Sequence, residues 1–360
     1  MKKLLIVFGT RPEAIKMAPL ILKLKEAKSI EARVCVTAQH KDMLYPILSF
    51  FNIEAHYDLS VMKPEQSLSY VTNAVLSGVS NVLEEYSPDL VLVHGDTTSA
   101  FAGCLASFYK SIPVAHVEAG LRSGDIFSPF PEEFNRRSIS LMSSFHFAPT
   151  EQSRANLISE GIKESSVFVT GNTVIDTLIL TSQAHSQFIL PSSPFILMTV
   201  HRREHSDSDI SAIFRAVRQF CIDNPSLYVI YPVHRSPRLL RLSSQILEDL
   251  PNVALTPPLS LTDFHHALRS CHFVLTDSGG VQEEAAYLGK PVLVVRNTTE
   301  RPEGESFGNL KLIGNDEDKI YNAMSILLNN KAEYEKASKA CLSFGDGHAS
   351  ERITDILQKI

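Results

Sequence analysis

Residues 89–109 read DLVLVHGDTTSAFAGCLASFY. The run Leu90–Val93 is apolar without alternation, as in a strand covered on both faces, and such strands belong to parallel sheets. Gly95 and Asp96 then break the run, and Thr98–Tyr109 reads as a helix. Strand, polar turn and helix recur outward from this stretch. Toward the amino terminus lie strands Lys3–Phe8 and Arg33–Thr37, with a helix after Arg11 whose first turn suits Pro12. Toward the carboxyl terminus lie strands Ile112–Glu118, Ser144–Ala148 and Val167–Thr170, with helices over Gln66–Glu85 and Glu132–Leu141. The pattern restarts beyond a helical stretch near 174–187. Strands follow at Phe195–Val200, Leu227–Tyr231, Val253–Leu255, His272–Thr276 and Val292–Val295, again separated by helices. Two such series imply an α/β chain of two doubly wound, Rossmann-like parallel-sheet domains joined between about 171 and 194.

Composition narrows the function. The 360 residues are enough for two domains, and 44% are apolar, enough for two cores. A net charge of −6 excludes the basic surplus of a nucleic-acid binder. The first apolar run, Leu4–Phe8, is shorter than a secretory core, and no later run approaches a membrane span. The five cysteines form no CxxC pair and read as reduced thiols of a cytoplasmic protein.

Ligands of open parallel sheets bind beyond the carboxyl ends of the strands. The residues found there are Gly9-Thr10-Arg11-Pro12-Glu13, His94-Gly95-Asp96-Thr97-Thr98, His116-Val117-Glu118-Ala119-Gly120-Leu121-Arg122 and, in the next loop, Pro131-Glu132-Glu133. One acidic residue after a strand is ordinarily a helix cap, and Asp96 has that alternative. Several carboxylates at neighbouring strand ends, with arginines close by, instead suit acid–base chemistry. In the second half, His201-Arg202-Arg203-Glu204 follows a strand. Asp277-Ser278-Gly279-Gly280 leads into a helix whose exposed N–H groups suit a phosphate, with Glu284 placed for ribose hydroxyls. Arg296 and Arg301 offer charge for a diphosphate. His201-Arg202-Arg203-Glu204-His205 also fits the H-x-x-E-H string of a metallopeptidase class, but that chemistry needs both histidines on one helical face. Here the string directly follows a strand and Ser206 and Asp207 read as caps, so no metal is assigned. His265-His266 reads as solvent-facing or structural. Neither GxGxxG nor a P-loop string occurs.

Taken in order, these motifs, with Thr37-Ala38-Gln39-His40, Gly171-Asn172-Thr173-Val174-Ile175-Asp176, Thr299-Glu300-Arg301-Pro302-Glu303 and Gly345-Asp346-Gly347, resemble bacterial UDP-N-acetylglucosamine 2-epimerases over nearly the whole chain. The resemblance implies a glycosyltransferase B-type architecture with the active site in the interdomain cleft. Its domains would be 1–173, rejoined by a terminal helix at 347–360, and 174–346. It further implies a homodimer, no cofactor or metal, and conversion of UDP-N-acetylglucosamine to UDP-N-acetylmannosamine through 2-acetamidoglucal and UDP, in the non-hydrolysing branch. Asp96, Glu118 and Glu132 would be its acid–base residues, with His201 supporting the departing diphosphate. Arg11, Lys16, Ser278, Gly279, Gly280, Glu284 and Arg301 would hold the nucleotide. Gln39, Arg202 and His234 match a second, activating substrate site, where the family's usual arginine is replaced by Glu65. The chain also departs from the family at His205, usually Asn, and over Gly304-Glu305-Ser306-Phe307.

Overall fold

The computed structural model describes residues 1–39, 42–63, 66–202 and 204–360, together with the backbone of Lys41. His40, Glu65 and Arg203 of the motifs above lie outside the described residues. The chain divides into two compact units, Met1–Thr177 with Phe344–Ile360, and Leu178–Ser343.

The first unit carries strands β1 (Lys2–Phe8), β2 (Ile30–Val36), β3 (Tyr57–Asp58), β4 (Leu90–His94), β5 (Val114–Val117), β6 (Phe145–Ala148) and β7 (Val167–Val169), in the order β3-β2-β1-β4-β5-β6-β7. All pairings are parallel. Leu4–Phe8 and Leu90–His94 are buried throughout, which is why both runs lack alternation. One face is closed by the helix Leu68–Tyr86, whose Val71, Val75, Val79 and Val82 pack on Leu5, Val7, Val91 and Val93. Strand β5 begins at Val114 rather than Ile112 because Pro113 has no N–H for the ladder.

The second unit carries β8 (Phe195–Thr199), β9 (Tyr228–Pro232), β10 (Val253–Thr256), β11 (Phe273–Thr276), β12 (Val292–Val294) and β13 (Leu310–Leu312), in the order β10-β9-β8-β11-β12-β13, also parallel. Both units are therefore doubly wound. Strand order reverses between β1 and β4 in one sheet and between β8 and β11 in the other, and such points open the crevice in which ligands bind.

The boundary between the units falls inside the helix Thr173–Leu180, four residues beyond the sequence estimate. Its first turn is tied into the first unit. The Thr177 hydroxyl donates to the Ile15 carbonyl at 2.6 Å, and Asp176 accepts from Ala349 N at 3.3 Å and Ser350 N at 2.7 Å, capping the terminal helix Ala349–Lys359. Asn172 N donates to the Phe344 carbonyl at 2.7 Å, so Phe344–Asp346 belongs to the same unit.

All five cysteines are buried free thiols. Burial pushes those of Cys35, Cys104, Cys221 and Cys271 up to about 12. No helix among the described residues is long and apolar enough to cross a membrane.

Candidate active site

At the first reversal point, the loops after β1 and β4 are joined by one buried carboxylate. Glu13 Oε2 accepts from Gly9 N at 3.0 Å and Thr10 N at 2.8 Å, while Oε1 accepts from the Thr97 hydroxyl at 2.8 Å. Gly9 is required by close approach: a Cβ there would lie 1.9 Å from Thr37 Oγ1. Thr97, not Asp96, caps the helix Thr98–Tyr109, accepting from Ala100 N at 3.0 Å. The cap alternative for Asp96 is thereby corrected, because the cap is already supplied by the next residue.

Asp96 is held from two sides. Its carbonyl accepts from Asn135 Nδ2 at 2.8 Å, and its Oδ2 accepts from Arg136 Nε at 3.1 Å and from Arg136 Nη2. Arg136 is itself fixed by Glu133, fully buried, at 3.1 Å. Glu133 also accepts from Arg137 Nε at 2.9 Å and Ser123 N at 3.1 Å. In the helix Glu132–Met142, Glu133 is thus the structural anchor and Glu132 the half-buried neighbour. The Asp96 carboxylate keeps 23% of its surface exposed, so it is reachable by a ligand.

Glu118 follows β5 with φ +64, a left-handed backbone rare outside glycine. Flanking ladder bonds impose it: Gly95 N donates to the Val117 carbonyl at 2.9 Å and Ala119 N to the Phe147 carbonyl at 3.0 Å. Conformations of this kind cost about 1–3 kcal/mol and persist where the surroundings over-determine them. The side chain, 8% exposed, pairs with Lys16 and accepts from Asn172 Nδ2 at 2.6 Å. His94 Nε2 lies 4.0 Å from it. Two neutral histidines underlie the cluster. Burial pushes His94 down to about 4 and His116 down to about 3, and His116 Nε2 meets the Gly95 carbonyl at 2.7 Å. A carbonyl only accepts, so that nitrogen carries the proton. Arg11 opens the helix Arg11–Glu26 at the same loop. The Gln39 side-chain carbonyl accepts from Ser99 Oγ at 2.8 Å beneath it.

At the second reversal point, buried Asp277 ends β11 and reaches the loop after β8, accepting from His201 N at 2.7 Å and Arg202 N at 2.8 Å. His201 is 40% exposed, with its ring stacked on His234 at 6.0 Å between centroids. Ser278 caps the helix Gly279–Tyr287, leaving its hydroxyl out of the cap bonding. The Arg301 guanidinium packs on the backbone of Gly279, where a Cβ would come within 2.4 Å of Nη1. Arg301 also pairs with Glu283 and Glu300, and Arg296 with Glu204 at 3.0 Å and Glu300 at 2.9 Å. Glu284 accepts from His265 Nε2 at 3.0 Å, and His265 Nδ1 meets the Thr181 hydroxyl at 2.5 Å. His265 is therefore fully buried and orients Glu284, the structural of its two readings, since its helix turns this edge inward. Residues 201–205 precede the helix Asp207–Asp223, which Ser206 caps, and among the described residues no group of three His, Cys, Asp or Glu side chains is disposed to hold a metal ion.

The family of UDP-N-acetylglucosamine 2-epimerases matches residues 22–358. The UDP-N-acetylglucosamine 2-epimerase of Bacillus subtilis is 48% identical over 359 residues, 99% of this chain and 94% of that protein. The chain belongs to this family. A Neisseria meningitidis UDP-GlcNAc 2-epimerase crystallised with UDP-GlcNAc superposes with a TM-score of 0.95 at 45% identity, covering 99% of this chain and all (100%) of that one. A Methanocaldococcus jannaschii enzyme in complex with UDP-GlcNAc and UDP gives 0.89 at 32% identity, covering 99% and 100%.

Within this family member, the sequence reading leaves Glu13, Asn135, Arg136 and Asn172 unassigned, although each holds a loop or an acidic side chain of the cluster. The spacing Glu133–Arg136–Arg137, at i, i+3 and i+4 on one helix, is the signal for Arg136. The links Glu13–Thr97 and Glu118–Asn172 have no local signal.

The buried histidines make stability pH-dependent. Unfolded histidine titrates near 6.5. Between that pH and about 4 the unfolded chain binds protons that His94 and His116 refuse in the fold, so stability falls as pH falls. Glu13 acts oppositely. Burial raises it from 4.5 to about 7, so the folded state binds the extra proton in that window. Burial lowers His146 in the same direction, so the histidines of the first unit outweigh the one carboxyl and stability is lost between pH 6 and 5. Urea unfolding of the first unit's transition should show that slope, and His116→Gln should lessen it. An unchanged slope in the variant would contradict the assignment.

Proposed function

We propose that the chain interconverts UDP-N-acetylglucosamine and UDP-N-acetylmannosamine without releasing the free sugar. The observation that carries this reading is the cluster after β4 and β5: Asp96 aimed by Arg136, and Glu118 paired with Lys16 under a strained backbone. The carbon-2 proton of the sugar is not next to a carbonyl, so direct removal demands a very strong base. Departure of UDP from carbon 1 builds oxocarbenium character and acidifies it. Loss of the carbon-2 proton and cleavage of the bond from carbon 1 to the diphosphate oxygen give 2-acetamidoglucal and UDP. Protonation of carbon 2 from the opposite face and return of the UDP oxygen to carbon 1 complete the exchange. This chemistry needs acid–base groups serving both faces of one carbon and donors on the leaving diphosphate.

Asp96, Glu118 and Glu132 take the acid–base work, and His201 supports the leaving diphosphate. Arg11, Lys16, Ser278, Gly279, Gly280, Glu284 and Arg301 contact the nucleotide. The helix start at Ser278 and the oriented Glu284 support the nucleotide part of the reading. The similar structures bound to UDP-GlcNAc and UDP support the ligand.

The test is NMR of carbon 2 and of UDP with UDP-N-acetylglucosamine in heavy water. Deuterium should enter carbon 2 of both UDP-linked epimers, with little free UDP at equilibrium. Free N-acetylmannosamine as first product would instead mark hydrolysis, and UDP binding without exchange an inactive binder.

A further inference from the structure

We propose that Asp277 is the positioning residue of His201, holding its ring so that Nδ1 keeps a proton and Nε2 faces the ligand. The inference rests on the reading above of His201 as the group beside the leaving diphosphate. Three observations carry it. Asp277 is fully buried, and one of its oxygens, Oδ2, is occupied by the two backbone N–H groups of His201 and Arg202. The other oxygen, Oδ1, is buried and makes no hydrogen bond among the described residues, which is costly for a carboxylate unless something answers it. The group nearest to answer is His201 Nδ1, 3.2 Å away on an exposed ring.

Among the described residues, the neighbouring titratable groups engage other atoms. Arg202 Nε donates to the Asp277 backbone carbonyl at 3.3 Å, not to the carboxylate. Buried His205 brings Nε2 to 3.5 Å from Oδ2, whereas His201 Nδ1 approaches Oδ1. His234 stacks flat on the His201 ring at 16° and receives Ser236 N at its own Nδ1. Tyr231 donates its hydroxyl to the Val200 carbonyl at 2.7 Å, leaving Asp277 to the histidine loop. A carboxylate on Nδ1 selects the Nδ1–H tautomer and stabilises the imidazolium, in which Nε2–H can donate to an anionic leaving group.

The decisive variant is Asp277→Asn, which keeps an oxygen for the two backbone donors but sets an NH₂ against Nδ1. With UDP-N-acetylglucosamine, kcat should fall about 10–10²-fold, below the full worth of a positioned proton-transfer group. In a His201→Gln background the same change should cost nothing further in kcat, since Asp277 acts through the ring. Equal losses in both backgrounds would make Asp277 only a brace for the loop. A readout independent of activity and of the variant's folding is the ¹⁵N spectrum of labelled histidine in the unaltered chain. It should report His201 with its neutral-form proton on Nδ1, and a proton on Nε2 there overturns the proposal. Absence of carbon-2 exchange by the unaltered chain would defeat the epimerase reading, while the tautomer would still decide the role of Asp277.

Discussion

Asp96→Asn should lower turnover by about 10²–10⁴-fold while changing the dissociation constant of UDP less than about twofold. The substitution preserves shape and removes the capacity to take or give a proton. The loop survives it for reasons visible in the structure. Asp96's carbonyl stays bound to Asn135, Thr97 still caps the next helix, and Arg136 keeps its second carboxylate, Glu133, at 3.1 Å. An Asn oxygen still accepts from Arg136 Nε. What the variant loses is chemistry at an accessible carboxylate, not the placement of the loop. Nucleotide contacts are assigned elsewhere, chiefly to the Ser278 turn, so isothermal titration with UDP should barely register the change. A loss of UDP affinity matching the loss of kcat would move Asp96 from the chemistry to binding. Deuterium exchange at carbon 2 should fall in step with turnover, because proton transfer is the step removed.

The same residue shows what was legible in the chain. Its loop was visible because β4 is an uninterrupted apolar run ended by glycine, and both long central strands of the first sheet have that signature. The edge strands β3 and β13, two and three residues long, carry no periodic signal at all. The acidic residues were visible because strand ends are where a parallel sheet presents its ligand-binding loops. Their partners were not, because tertiary folding brings them from afar. Glu13 and Thr97 are 84 residues apart, His201 and Asp277 are 76, and Glu118 and Asn172 are 54. Lys16 illustrates the limit most clearly. As a cation one turn into a helix beside a glycine loop it reads as a phosphate ligand, and its pairing with Glu118, 102 residues away, has no local signal.

That pairing yields the second large effect. Lys16→Met should destabilise the first unit by about 3–5 kcal/mol, the range for breaking one side of a buried ion pair. The two side chains are 9% and 8% exposed, so water cannot replace the missing ammonium, and Glu118 would be left in a poorly solvated place. The methionine can follow the path of the lysine stem, which is already buried in that helix. The double variant Lys16→Met with Glu118→Gln should recover much of the loss, since a neutral amide needs no cation and its oxygen still accepts from Asn172. The coupling from a double-mutant cycle by urea unfolding should therefore exceed about 1 kcal/mol, well above the 0.3–0.5 kcal/mol scatter of independent sites. If the pairing with Glu118 carries little energy and Lys16 serves the nucleotide alone, the single variant should weaken UDP binding with little change in unfolding midpoint. The cycle would then show no coupling to Glu118. Both outcomes are read from the four proteins of the one cycle. A strong coupling would also explain why a carboxylate assigned to proton transfer has a lysine at its side: the ammonium fixes its direction in a place too dry to hold an unpaired charge.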